Sequence, residues 1–226
     1  MSPVPSASGT VLAVCRVHAL LPDDGAVGVT AIDKRPVEGP VHVRRLGLFA
    51  DLQADRAHHG GEEQAVYAYS QEDADWWAAE LGHAVPPGLF GENLRTRGLE
   101  ASRAVVGERW RVGTALLEVT HERAPCATFA RRMGLARWVK RFTDANRVGC
   151  YFRVLETGDL QVGDEVVVEH RPEHGVTVAD WFAARTTAPG TRGRVSRALL
   201  DAEAAGQMRL SDKVRERAAQ MVGQSA

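Results

Sequence analysis

Cysteine is the first scarcity. The chain holds three in 226 residues, Cys15, Cys126 and Cys150. An odd, widely spaced set fits a reducing cytoplasm, where we expect the protein to reside, better than a disulfide framework. Charge of one sign is also missing: 28 Lys and Arg stand against 29 Asp and Glu, a net charge of −1. That balance argues against a general polyanion binder, and neither nucleic acid nor a membrane is expected as a partner. No apolar run approaches the roughly 18 residues that a spanning helix needs. Met1 to Thr10 is a Ser/Pro/Ala/Gly stretch without a basic residue, which reads as a frayed end and not as a signal peptide. The G-x-x-x-x-G-K-[ST] loop, the G-x-S-x-G elbow, H-E-x-x-H and paired C-x-x-C are all absent. Those absences weigh against an ATPase, a serine hydrolase, a zincin and a zinc ribbon. No G-x-G-x-x-G follows a strand, so a nicotinamide-binding domain is not expected either.

Short apolar runs and turns are what the chain does have. Thr10 to His18 reads as a strand, Pro22-Asp23-Asp24-Gly25 as a turn, and Val27 to Ile32 as a second strand ending at Lys34. Glu38-Gly39-Pro40 precedes another at Val41-His42-Val43. This cadence is that of an antiparallel sheet or barrel. Gly47 to Gly61 lacks periodicity and carries Asp51, Asp55, Arg56, His58 and His59 before Gly60-Gly61. Neighbouring side chains diverge, so the two histidines do not form a simple metal pair. One of them is a candidate donor to an anion beside the glycines, where a ligand can approach the backbone; the alternative is an ordinary solvated loop. Gln64 to Tyr69 reads as a strand. Ser70 then caps a helix that runs to Leu81 and stops at Gly82, with Asp73 in the capping-box position and Trp76, Trp77 and Leu81 on its apolar side. In Pro86 to Leu94, Glu92 and Asn93 either fix a ligand or brace the turn.

Glu108 to Val112 and Thr114 to Thr120 flank Gly113 as a hairpin that leads into His121-Glu122-Arg123-Ala124-Pro125-Cys126. Pro125 breaks regular structure, and Ala127 to Arg132 is helix-forming up to Gly134. A cysteine at a helix start, with Arg123 three residues upstream, is placed to favour thiolate over thiol. A thiolate is either a soft metal ligand or a nucleophile; the plain alternative is a small buried apolar residue. Leu135 to Phe142 reads as helix, Gly149 to Leu155 and Asp164 to Val168 as closing strands, and Gly158-Asp159 as a turn. Past Arg171 to Gly175 the composition becomes helical. Thr177 with Asp180 caps a first helix, Leu199 to Ala205 lies in a second, and Ser211 caps a third. The expected division is a disordered tail over 1–9, a β-barrel domain over 10–171 and a three-helix appendage over 172–226. A mild basic excess in that appendage reads as a solvated face or as a dock for an acidic partner.

The order of His58-His59-Gly60-Gly61, Phe90-Gly91-Glu92-Asn93-Leu94, Gly107-Glu108, Arg123-Ala124-Pro125-Cys126 and Gly149 to Asp164 resembles the MOSC domain family. The helical tail with Val176-Thr177-Val178-Ala179-Asp180 is similar to the extension of its YiiM-type subgroup. The resemblance implies a mainly β, MOSC-type barrel with helices that binds the molybdenum cofactor, a metal held by a pterin. It makes Cys126 the metal ligand, Lys34, His59, Gly60, Gly61 and Arg123 the grip on phosphate and pterin, and Glu92 and Asn93 lining residues. Catalytic roles fall to Cys126 and to His59, the latter as proton donor. The implied activity is reduction of N-hydroxylated bases or amines. No flavin or iron–sulfur motif is visible, so electrons are expected from a separate flavin or iron–sulfur protein; pyridoxal phosphate is not expected. Three departures bear on substrate and pocket shape: Glu122 stands where similar proteins have proline, Cys150 where an aromatic is frequent, and Ala50-Asp51 where Gly-Asp is usual. Two other readings stay open, a persulfide carrier on Cys126 and a non-enzymatic barrel whose basic helical tail docks nucleic acid or a partner protein.

Overall fold

Fifteen extended residues, Ser8–Pro22 (β1), take part in both the barrel and an outlying arm. The first half pairs with two barrel strands, Leu94–Arg97 (β6) and Glu165–His170 (β11); the second half pairs with Val29–Pro36 (β2). Register shifts between Val11 and Ala13 and between Val17 and Ala19 bend the strand from one role to the other. The computed structural model describes residues 8–25, 27–54 and 60–223. Most of the expected tail therefore lies outside the described residues, but Ser8 and Gly9, assigned to it, pair with Val167 and Val166.

The remaining strands are Val66–Ser70 (β5), Arg109–Val112 (β7), Ala115–Glu122 (β8) and Cys150–Glu156 (β9), with Val41–Arg44 (β3), Gly47–Leu48 (β4) and Gly158–Leu160 (β10) in a small second sheet. The order β11-β7-β8-β9-β5-β6-β1 closes through the β11–β1 pairing into a 7-strand barrel. The fold is thus mainly β with helices. Closure leaves no free edge in the barrel. The β5–β6 pair is parallel, so it needs a crossover, supplied by the helix Gln71–Leu81 (α1). That helix begins and ends on the chemistry expected: Ser70 accepts from the Asp73 N–H, and Gly82 closes it at φ 72°. Asp73 departs from the expectation. Its carboxylate accepts from Ser102 Oγ and Arg147 Nη1, both at 2.6 Å, instead of closing a capping box. Gly158-Asp159 is also not a turn, because the segment pairs with β3.

Two short helices, Ala127–Met133 (α2) and Trp138–Ala145 (α3), pack beside α1. The second starts later than the expected Leu135 because Arg137 takes a left-handed conformation, φ 56°. Trp77, Phe90, Phe129, Trp138 and Phe142 form one aromatic cluster there, with Trp77 stacked on Phe142 at 5.7 Å. Rings in such contact add about 0.5–1.5 kcal/mol per pair beyond area burial. Phe129 is the anchor that ties α2 to this cluster.

The C-terminal helices are Val178–Arg185 (α4), Arg192–Ala204 (α5) and Asp212–Gly223 (α6). Thr177 and Asp180 complete a capping box at α4, and Ser211 Oγ accepts from the Val214 N–H at α6. Main-chain bonds weld this extension to the barrel: Val178 N–H donates to Ala104 C=O at 2.9 Å, and Val106 N–H to Val176 C=O at 3.1 Å. The buried face of α4, with Val178, Trp181, Phe182 and Ala184, packs on β8, whose eight residues are all buried. No helix among the described residues is long and apolar enough to cross a membrane.

Candidate active site

The strand β8 delivers the site. Its end carries a register shift between Val119 and Glu122 against β9, an extra residue that aims both His121 and Glu122 into one cavity. Pro125 then stops the strand, and Cys126 stands as the N-cap of α2 on the same cavity wall. Two ion pairs fix α2 to the β1–β2 arm. Arg131 forks onto Asp23 at 2.8 and 2.6 Å, and Arg132 meets the buried Asp33 at 2.7 Å. The Arg131 contacts, with further bonds from Thr128 and Gly25, hold the Asp23 carboxyl down at about 2. Because α2 spans only seven residues, its dipole is a slight contribution, and the placement of Cys126 rests on these clamps and on Phe129.

The cavity has a volume of about 590 Å³, inside the roughly 300 to 1,000 Å³ range of cofactor and ligand sites. Lys34 from the β1–β2 arm and Tyr67, Asn93, Arg123 and Tyr151 from the barrel line it together with Trp181 and Arg185 from α4 and Lys213, Val214 and Arg217 from α6. The extension is therefore part of the wall, which its distance in sequence gave no reason to expect. None of the cysteines is in a disulfide. Cys15 and Cys150 are buried; desolvation, aided by the Glu92 carboxylate, pushes Cys15 up to about 12, and burial raises Cys150 as well. Both are inert. Cys126 alone among the three meets the cavity.

Arg123 is 6% exposed and lies over the Phe129 ring at 3.8 Å, donating to Ala124 C=O at 3.3 Å. Among the described residues it has no carboxylate partner, so its charge is available to an anion. Lys34 also lines the cavity, but its ammonium already contacts Asp51 at 2.6 Å. Asp51 in turn accepts from Val17 N–H and Asn93 Nδ2, both at 2.8 Å. Asn93 thus lines the cavity while bracing the β1–β5 junction through Tyr67 N–H and Cys15 C=O.

Three expectations need correction or fall outside view. Glu92 does not line the cavity: it is fully buried and accepts from Gly88 N–H at 2.8 Å, Phe90 N–H at 3.1 Å and Arg95, so it braces the turn. Gly60 and Gly61 are not on the cavity wall, and the Gly61 N–H is already bonded to Gln53 Oε1 at 3.0 Å. His58 and His59 lie outside the described residues, as do Asp55 and Arg56.

What residue reading missed is the polar corner where β8 meets α4. Glu122, 3% exposed, is ion-paired with Arg185, and His121, 7% exposed, contacts Gln64 Nε2 through its Nε2 at 3.0 Å. Burial raises the Glu122 carboxyl against the opposing pull of Arg185. Burial, reinforced by Lys213 and Arg185, pushes His121 down to about 3 and keeps the ring neutral. A carboxylate at the end of a strand that begins as an apolar run was the available signal, since an acid that becomes buried demands a cation from somewhere. Among the described residues no three His, Cys, Asp or Glu side chains converge as a metal cage. Among the described residues the site therefore offers one sulfur, one buried guanidinium without a carboxylate partner and an aromatic wall. That donor set suits a metal already chelated by a phosphorylated organic cofactor, not a bare ion.

The MOSC domain model matches residues 55–167. The chain is 34% identical over 155 residues to the uncharacterized protein YflK of Bacillus subtilis, covering 69% of this chain and 70% of that protein. It therefore belongs to the MOSC domain family. A likeness to YiiM then places it in the YiiM-type subgroup: it is 33% identical over 135 residues to protein YiiM of Escherichia coli, spanning 58% of this chain and 60% of YiiM. The crystal structure of YiiM from Geobacillus stearothermophilus superposes with a TM-score of 0.75 at 25% identity, covering 95% of this chain and 99% of that one. A protein named reductase from Gibberella moniliformis is 34% identical over 159 residues, but this chain spans only 28% of its length.

Proposed function

We propose that this chain is a molybdenum-cofactor-dependent oxidoreductase that reduces N-hydroxylated bases or amines, with electrons from a separate flavin or iron–sulfur protein. The observation carrying this reading is that a single cavity is lined by both Cys126 and the buried Arg123, which has no carboxylate partner among the described residues. Membership of the MOSC family and the reductase-named relative support it. When bound, the metal–pterin group supplies two-electron cleavage of an N–O bond, which consumes two electrons and two protons and yields the amine and water. Cys126 would hold the metal through sulfur. Arg123, fixed over Phe129, would hold the terminal phosphate by charge-assisted bonds. Tyr67 and Phe90 would wall the pterin and exclude water, with Lys34 nearby as a second, already compensated charge.

The test is molybdenum content of the wild type and Cys126→Ser, each expressed in a cofactor-producing host. Stoichiometric metal in the wild type and its loss in the variant support the proposal. Equal metal in both, or a metal-free wild type positive for sulfane sulfur, overturns it and favours the persulfide carrier.

A further inference from the structure

We infer that the face formed by the β3–β4 hairpin and the residues just after it, with Leu46, Phe49 and Leu52 at its centre and Arg16 and Arg44 beside them, docks an acidic iron–sulfur protein of ferredoxin type. Calling that protein the electron donor rests on the function proposed above; the docking face itself does not.

The strand β3 obeys ordinary alternation, with Val41 and Val43 buried and His42 and Arg44 exposed. The stretch that follows does not. Leu46 is 56% exposed, Phe49 49% and Leu52 40%. Single exposed apolar side chains need no explanation, but several on one short stretch, bordered by charge, mark an interaction site. Their position says what kind. Leu52 lines the cavity itself, and so does Gln53, whose amide donates to the C=O of the cavity-lining Gln64 at 3.0 Å. Asp51, between Phe49 and Leu52 in the chain, holds the cavity-lining Lys34 at 2.6 Å. A partner seated on this face therefore lies against the cavity wall.

Charge selects the occupant. Arg44 lies over the Phe49 ring, 4.5 Å from its centroid, and Arg16 Nη1 donates to Phe49 C=O at 3.0 Å. Among the described residues neither guanidinium has a carboxylate partner, whereas Arg45 next to them is paired with Glu62. An apolar centre carrying two such cations complements an acidic surface. A second copy of this chain is disfavoured, because a symmetric interface would set these guanidiniums against their own counterparts. Among redox carriers, an iron–sulfur cluster held by thiolates is itself an anion and gains a further negative charge on reduction. The face therefore holds the reduced carrier more strongly and releases the oxidised one. In the proposed reaction two reduced carriers are each oxidised by one electron, two protons are taken up, and the N–OH oxygen leaves as water. A carrier that must dock twice per turnover needs a small, weak contact, and this face provides one.

Anaerobic calorimetric titration of the full chain with an acidic plant-type ferredoxin, oxidised and electrochemically reduced, tests this. The wild type is expected to bind, the reduced form more tightly, with affinity falling as salt is raised. Arg44→Glu and Phe49→Ala should each weaken binding roughly tenfold. Arg197→Glu, the same charge reversal on an exposed position of α5, should leave it within about twofold. In the molybdenum-loaded chain the two face variants should lose turnover of an N-hydroxylated base with reduced ferredoxin as donor and keep it with dithionite. No ferredoxin binding by the wild type, equal weakening by Arg197→Glu, or tighter binding of a flavodoxin than of ferredoxin overturns the inference. Failure is separable from that of the proposed function: a chain that turns over with dithionite but does not bind ferredoxin removes only the docking face. Ferredoxin binding through Arg44 and Phe49, with metal indifferent to Cys126, removes only the cofactor reading.

Discussion

Replacing Arg185 by Met tests whether the helical extension is electrostatically locked to the barrel. Arg185 sits above Trp181 at 5.4 Å and pairs with Glu122, whose side chain is 2% exposed. Met keeps most of the stem volume, so the change reports the charge and not the packing. Removing one partner of a buried pair leaves an uncompensated charge and costs about 3–5 kcal/mol, a large share of the ~5–15 kcal/mol of a typical domain. The loss should also depend on pH. Burial already raises the Glu122 carboxyl in the folded chain, and Arg185 is the cation that opposes the rise. Without it the folded pKa climbs further above the unfolded one. Between those values the folded chain holds a proton that the unfolded chain has released, so stability falls as pH rises through the window, by at most about 1.4 kcal/mol per pH unit. The deficit of Arg185→Met should therefore be large at pH 7.5 and smaller at pH 5.5. Adding Glu122→Gln should recover about 2 kcal/mol or more, measured as a coupling energy in a double-mutant cycle by urea unfolding. A cost under about 1 kcal/mol, a deficit that does not change with pH, or additive behaviour in the cycle would refute the reasoning.

His121 predicts the opposite slope. Its folded pKa, near 3, lies below the ordinary 6.5, so between those values the unfolded chain alone holds the proton and stability rises with pH. The full window corresponds to about 5 kcal/mol, and His121→Asn should flatten the acid limb of the unfolding profile by most of that; an unchanged limb rules the assignment out. Gly88→Ala places a Cβ 2.2 Å from the Lys34 carbonyl at φ 87°, whereas Gly134→Ala, at φ 63°, meets nothing within 4 Å. The first should lose more than about 2 kcal/mol and the second about 1 kcal/mol in thermal or urea unfolding; equal losses would show that β2 yields at Lys34.

Local chemistry was legible and long-range pairing was not. Ser70 and Gly82 bracket α1, Thr177 and Asp180 start α4, and Pro125 ends β8 before Cys126, because each signal acts within a few residues of itself. Where the capping rule failed, a distant partner had displaced it: Asp73 gave up its capping-box role to Arg147, 74 residues away. Barrel closure is of the same kind, since nothing in Thr10 or Glu165 announces the other. The site divides along this line. Cys126 and Arg123 are three residues apart and can be found together, but the Glu122–Arg185 pair spans 63 residues and joins what reads as two separate regions. A buried acid cannot stay ionised without such a cation, so Glu122 at the end of a wholly buried strand requires a partner, and only the fold could say that the partner is on the helix lining the cavity. The extension is therefore read better as one wall of the site than as an appendage to it.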